Sequence, residues 1–477
     1  MPIRRVTAPR APAELITGLH RLAEELGLPG DFPSEVQAEA AELARTGPID
    51  RGQRTDLTRL PFITIDPPGS TDLDQALHIE RQGAGYRVWY AITDLAAWIR
   101  PGGAIDQEAQ RRGQTFYAPT WRIPLHPPAL SENAASLLPD GVARPALVWR
   151  IDLASDGDVR QVEILKADVV SHAQRSYAQV QADLDAGMAD EAVQLLREVG
   201  IARQQVEIDR GGVSLDLPDQ EVVAHHDGWH LEFRRVMPVE GWNAQISLLT
   251  GISAAHLMLD AGVGILRTLP PARQYDVDRL RRIAKSLRLR WPGAVGYPEF
   301  VRSLSPAEPD GQAMLNASTT LFRGAAYTVL NGQGDQLVVH GALATPYAHT
   351  TAPLRRLVDR HVGALCAELC AGRPAPEWVL ADLADLPARM AASGQKARRF
   401  ERGTIDRVEA VVLQGREGAT FAGTIVELDR PGRGSASVPR VAVEAPVEGR
   451  GLVLGSEQIL RLARADVETG KVLFVPA

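Results

Sequence analysis

Cysteine is nearly absent. Cys366 and Cys370 are the two thiols in 477 residues. A pair four residues apart makes no disulfide framework, which argues against a small oxidised scaffold and favours a cytoplasmic location. Long apolar runs are missing too. None approaches the ~20 residues that cross a bilayer, and no apolar stretch follows the arginines of the N-terminus. Neither a membrane partner nor a secretory signal is therefore expected. Positive charge is in short supply: 52 Lys and Arg face 59 Asp and Glu, a net charge of −7. That argues against a broadly basic surface that coats nucleic acid nonspecifically, although not against a narrow basic channel. There is no low-complexity segment and no internal repeat. The length exceeds one ordinary core, so two to four domains are expected.

What is present centres on Phe62 to Leu77. Phe62-Ile63-Thr64-Ile65 is β-branched and aromatic, the pattern of a strand. Pro67-Pro68-Gly69 breaks it. Three carboxylates surround the break: Asp66 at the strand end, then Asp72 and Asp74. Residues two apart in extended backbone share a face. Folding Asp66 back toward that face makes an all-oxygen site suited to a hard divalent cation such as Mg2+ or Mn2+. A solvated acidic turn at a strand end is the plainer alternative.

Residues 1–58 read as helical, with Leu15, Ile16, Leu19 and Leu22 on one face and Ser34-Glu35-Val36-Gln37 as a capping box. They form either a small helix-turn-helix-like domain or a lead-in packed on the next one. The basic start, Arg4, Arg5 and Arg10, points to nucleic-acid contact or to a solvated tail in equal measure. From 59 to 407 the pattern is mixed α and β. His225-His226-Asp227-Gly228 reads as a hairpin turn rather than as a ligand pair. Thr351 and Pro353 suit the start of a helix, which places Arg355 in its first turn, braced by Asp359. Such an arginine suits phosphate. From 408 to 477, short strands at Phe421–Leu428, Val441–Val447, Gly451–Leu454, Gln458–Ala463 and Lys471–Val475 predict a small barrel of the OB type.

The chain resembles the ribonuclease II / ribonuclease R (RNB) family of 3′-to-5′ exoribonucleases. The residues that carry the resemblance are Thr64-Ile65-Asp66…Asp72-Leu73-Asp74-Gln75, Ile92-Thr93-Asp94, Tyr117-Ala118-Pro119, Ile123-Pro124-Leu125, Leu130-Ser131 and Tyr347…Thr351-Ala352-Pro353-Leu354-Arg355-Arg356. It implies an α+β fold: an RNB domain of mixed sheet and surrounding helices, then a C-terminal OB barrel. It also implies hydrolysis of single-stranded RNA to nucleoside 5′-monophosphates with Mg2+ or Mn2+, by a monomer without an organic cofactor. By the same resemblance Asp66, Asp72, Asp74 and Gln75 occupy the metal positions. Asp74 and Arg355 are catalytic. Tyr117, Tyr177, Arg355, Arg356 and Glu401 face RNA, with Tyr117 clamping the terminal base.

Departures from the family pattern are as informative. Its fourth aspartate is Gln75 here, a neutral and weaker ligand. A glutamate pair that orients terminal nucleotides falls at Ala244-Gln245, and the aromatic facing the tyrosine clamp at Leu215. The 58 leading residues cannot hold the two cold-shock domains that relatives carry. Two other classes therefore stay open: a catalytically weakened homologue that mainly binds RNA, and a metal phosphodiesterase acting on DNA or small nucleotides.

Overall fold

The structure is a computed structural model that describes residues 12–50, 52–215, 219–225, 228–234, 236–332 and 339–477. The basic start and the turn residues His226 and Asp227 lie outside them.

Nine strands lie between residues 55 and 176. In chain order they are β1 (Thr55–Asp56), β2 (Phe62–Asp66), β3 (Gln75–Gln82), β4 (Gly85–Thr93), β5 (Phe116–Tyr117), β6 (Arg122–Ile123), β7 (Arg144–Leu153), β8 (Val159–Val169) and β9 (Ser171–Ser176). Seven form one mixed sheet in the order β1-β8-β7-β4-β3-β2-β9, while β5 and β6 pair apart as a small hairpin. The sheet is mixed because β1–β8 and β2–β9 run parallel and the rest antiparallel. Period-two alternation sorts its residues. On β4, Tyr86, Val88, Tyr90 and Ile92 enter the main core with helices Glu191–Asp209, Pro238–Ala261 and Leu357–Cys370. Trp89 and Ala91 face the other side with Phe62, Leu73 and Val148.

The N-terminal helices are Ala13–Glu25 and Ser34–Thr46. They bury their apolar faces in different places. Leu15, Leu19 and Leu22 pack with Phe400 of helix Leu386–Leu413 and with barrel residues, whereas Val36, Ala40 and Leu43 pack with Trp98, Ile99 and Leu354. The two helices thus dock on different parts of the chain. The expected capping box at Ser34 does not form: Pro33 is the N-cap, and Gln37 Nε2 donates to the Phe32 carbonyl.

The C-terminal strands are Thr420–Arg430, Arg433–Val438, Val443–Glu448, Glu457–Asp466 and Lys471–Pro476, closed into a five-stranded barrel. Val443, Ala445 and Val447 alternate inward, as a barrel wall requires. Gly451–Leu454 is a turn, not a strand. Its glycine takes a left-handed conformation, φ +78°, in the turn that follows strand Val443–Glu448. Helix Leu386–Leu413 runs unbroken through residues 407 and 408, and the barrel begins at Thr420.

Candidate active site

The candidate site lies where β2 ends. Asp66 is the last residue of that strand, and the chain then turns through Pro67 to Gly69. Residues 70–74 form neither helix nor strand. Leu73 is fully buried in the core, and its neighbours Asp72 and Asp74 make polar contacts with other segments. Ser136 holds this segment in place. Its Oγ accepts from Leu73 N at 2.9 Å and donates to the Thr71 carbonyl at 2.7 Å.

The three carboxylates differ sharply in surroundings. Asp74 is 4% exposed. Its Oδ1 accepts from Leu354 N at 2.7 Å, and Arg355 Nε lies 3.3 Å from Oδ2. Burial pushes its carboxyl up to about 8, against the opposing pull of Arg355. Asp66 is half-buried, and burial raises it to about 7, with Arg355 opposing and Asp72 adding to the rise. Asp72 is held on both oxygens. Arg122 Nη1 is 2.5 Å from Oδ1, and Tyr117 Oη donates to Oδ2 at 3.4 Å.

The segment carrying Arg355 departs from the sequence expectation. Helix Leu357–Cys370 begins at Leu357, so Arg355 precedes it rather than sitting in its first turn. The cause is an isolated bridge to the segment before β5: Thr115 N donates to the Arg355 carbonyl and Leu357 N to that of Gly113, which keeps Arg356 extended. Asp359 braces Arg356, not Arg355, through contacts of 2.5 and 2.7 Å. It also accepts from Ala352 N, tying the turn to the helix. Arg355 is thereby left 41% exposed beside Asp74.

Gln75 opens β3 and donates its Nε2 to the Thr351 carbonyl. That orientation leaves Oε1 as the atom able to face a cation. Tyr177 begins helix Tyr177–Asp185, whose N-cap is Ser176, and Asn243 Nδ2 lies 3.2 Å from its hydroxyl. Glu401 is half-buried on helix Leu386–Leu413. Gln245 points into the fold, donating to Glu207 Oε2 at 2.6 Å. Leu215 packs with Val213, Val301 and Leu315.

Among the described residues no three His, Cys, Asp or Glu side chains converge closely enough to ligate one ion. The donor chemistry nevertheless suits a hard cation. All candidate donors are oxygens, and two of the carboxylates resist ionising where they stand, a cost a divalent cation relieves. Arg122 and Arg355 are the positive charges that now stand against Asp72 and Asp74.

Sequence reasoning missed Arg122, Glu132 and Asn243. One signal was available for Arg122: it stands directly across the β5–β6 hairpin from Tyr117, and cross-strand partners share a face.

Comparison with known proteins agrees with this architecture. The RNB domain model matches residues 54–370, and the model of the RNase II-type exonuclease C-terminal S1 domain matches 419–477. The chain belongs to the RNB family. It is 29% identical over 333 residues to the exosome complex exonuclease RRP44 of Mus musculus, covering 67% of this chain and 34% of that protein. It is 27% identical over 361 residues to ribonuclease R of Escherichia coli, covering 70% and 42%. The chain thus spans well under half the length of these relatives. A solved structure of Mycoplasma genitalium RNase R, in complex with ribose methylated single-stranded RNA, superposes with a TM-score of 0.86 at 18% identity, covering 98% of this chain and 78% of that one. That likeness concerns the fold. No helix among the described residues is long and apolar enough to cross a membrane.

Proposed function

We propose that this chain is a processive, divalent-metal-dependent 3′-to-5′ exoribonuclease that hydrolyses single-stranded RNA to nucleoside 5′-monophosphates. The observation that carries the reading is the meeting of Asp74 with Arg355 and of Asp72 with Tyr117 at the end of β2, in a chain of the RNB family. Asp66, Asp72, Asp74 and the Oε1 of Gln75 would hold Mg2+ or Mn2+. When bound, the metal supplies an activated water and charge stabilisation at the phosphate. Arg355, 41% exposed beside Asp74, adds a donor for the scissile phosphate. Tyr117, already a partner of Asp72, offers its ring to the terminal base, a stacking contact that tolerates any sequence. Tyr177 and Asn243 present a hydroxyl and an amide suited to the sugar of the last nucleotide. Arg356, locked to Asp359, sets the position of its neighbour Arg355. Glu401 lines the RNA path, and the barrel guides the strand inward. The enzyme acts as a cytoplasmic monomer without an organic cofactor.

A second reading rests on Gln75, whose amide is spent on the Thr351 carbonyl. A site one carboxylate short describes a catalytically weakened homologue acting mainly as an RNA-binding or regulatory protein. One experiment separates the two: labelled single-stranded RNA and a DNA control, incubated with the pure protein and Mg2+ or Mn2+. Stepwise shortening of RNA alone supports the enzyme. Retention of intact RNA supports the binding protein. Cleavage of DNA at an equal rate would overturn the RNA assignment.

A further inference from the structure

Arg122 is an unusual neighbour for a metal-site aspartate. Its side chain is 8% exposed and reaches two carboxylates at once, Asp72 Oδ1 at 2.5 Å and Glu132 Oε1 at 2.5 Å. Thr71 Oγ1 bridges the group, accepting from Arg122 Nη2 at 3.0 Å and donating to Glu132 Oε2 at 2.9 Å. The parts come from three places: β6, the irregular segment after β2, and the helical turn Leu130–Ala134. All three are anchored by backbone contacts of their own segments or of each other. β6 pairs with β5, and Ser136 ties the Thr71–Leu73 backbone to the chain just beyond Glu132. A buried guanidinium with one carboxylate could not leave it without stranding a charge. With two, it can release one and stay neutralised by the other.

We propose that Arg122 is a built-in counter-cation of Asp72: it holds this carboxylate while no divalent ion is present, and shifts fully onto Glu132 when Asp72 takes an ion. Arg122 is then a positioning residue that sets metal affinity, with Glu132 as the acceptor that permits the exchange. The proposal rests on the exoribonuclease reading in one respect, that Asp72 is a metal ligand. Its physical content is a competition. Arg122 and the incoming cation both seek Asp72 Oδ1, and two like charges a few ångströms apart repel. The neutral Gln75 beside the site leaves less negative charge to offset that repulsion.

The test is calorimetric titration of the full chain with Mn2+, without RNA, on the wild type and on Arg122→Gln, Arg122→Lys and Glu132→Gln. Removing the competing charge should tighten Mn2+ binding by roughly tenfold in Arg122→Gln. Removing the second acceptor should weaken it by a similar factor in Glu132→Gln, because Arg122 is then confined to Asp72. Arg122→Lys keeps the charge and should stay near the wild type. A merely structural network predicts that Arg122→Gln and Glu132→Gln both lose affinity, and that outcome overturns the proposal. So does unchanged affinity in both, or no saturable Mn2+ binding to the wild type. Thermal melts show which variants fold. If Arg122→Gln does not, the contrast between Arg122→Lys and Glu132→Gln decides, and equal weakening in those two also refutes it. RNA cleavage by Asp74→Asn judges the exoribonuclease reading separately. Loss of cleavage there, with Arg122→Gln and Glu132→Gln shifting together, rejects this proposal alone.

Discussion

Arg355 Nε stands 3.3 Å from Asp74 Oδ2, while the N–H of Leu354, one residue earlier, holds Asp74 Oδ1 at 2.7 Å. The carboxylate after β2 and the guanidinium before helix Leu357–Cys370 therefore form one unit. The backbone contact fixes the aspartate, and the side-chain contact places the arginine over it.

From that unit follows the first prediction. Asp74→Asn keeps an acceptor for Leu354 N–H but removes the charge. Cleavage of single-stranded RNA should be abolished while RNA affinity stays within about threefold, since no base contact is lost. Gel assays and a filter-binding isotherm measure the two quantities. A variant retaining a tenth of the wild-type rate would show that Asp74 is not catalytic.

Gln75 donates to the Thr351 carbonyl, and a carboxylate cannot. In metal-free protein, Gln75→Asp should cost about 1 to 3 kcal/mol by setting an anion against that carbonyl. With metal, the added negative charge should lower the Mg2+ concentration for half-maximal rate. Melting curves with and without Mg2+, paired with a metal titration of the rate, check both. An unchanged titration would mean that position 75 does not face the ion.

Gly251 lets helix Pro238–Ala261 touch the segment leading to Arg355. A Cβ there would run into Tyr347 Cε2 and the Ala348 carbonyl, and Ala348 N donates to the Gly251 carbonyl at 3.0 Å. Gly251→Ala should destabilise the protein by roughly 1 to 3 kcal/mol through overpacking. It should also slow cleavage by moving Arg355. If melting temperature and rate both match the wild type, this contact does not position the arginine.

Glu409 is a buried carboxyl between helix Leu386–Leu413 and the barrel. It accepts from Gln220 Nε2 and from Glu444 N. Burial pushes it up to about 8, those two hydrogen bonds opposing and the nearby Asp406 and Glu444 adding to the rise. The fold therefore holds a proton that the unfolded chain releases in the ordinary carboxylate range. Its contribution is complete below that range and is lost as pH rises toward about 8. Melting temperature between pH 5 and pH 8.5 should fall more steeply for the wild type than for Glu409→Gln. Parallel curves would show that Glu409 is ionised in the fold.

The sequence by itself determined the elements whose cause is local. Phe62–Asp66 is a strand because its residues are β-branched and aromatic, and it ends where Pro67-Pro68-Gly69 removes donors and bends the chain. The barrel showed itself in four of its five strands, but Gly451–Leu454 was misread, because a short apolar run between two glycines carries no register, and Arg433–Val438 was not foreseen. Asp66, Asp72 and Asp74 stood out by spacing alone. What only the tertiary structure decided are the partners. Asp72 is held by Arg122 from the β5–β6 hairpin, Asp74 by Leu354 and Arg355 from a distant turn, and Asp359 takes Arg356 in place of Arg355. Helical spacing allowed Asp359 either arginine. The choice fell to the strand bridge that pins Arg356 against Gln114 and delays the helix to Leu357. Periodicity reports which face a residue takes within its own element. Which charge it meets there depends on how remote segments are brought together, and no local pattern encodes that.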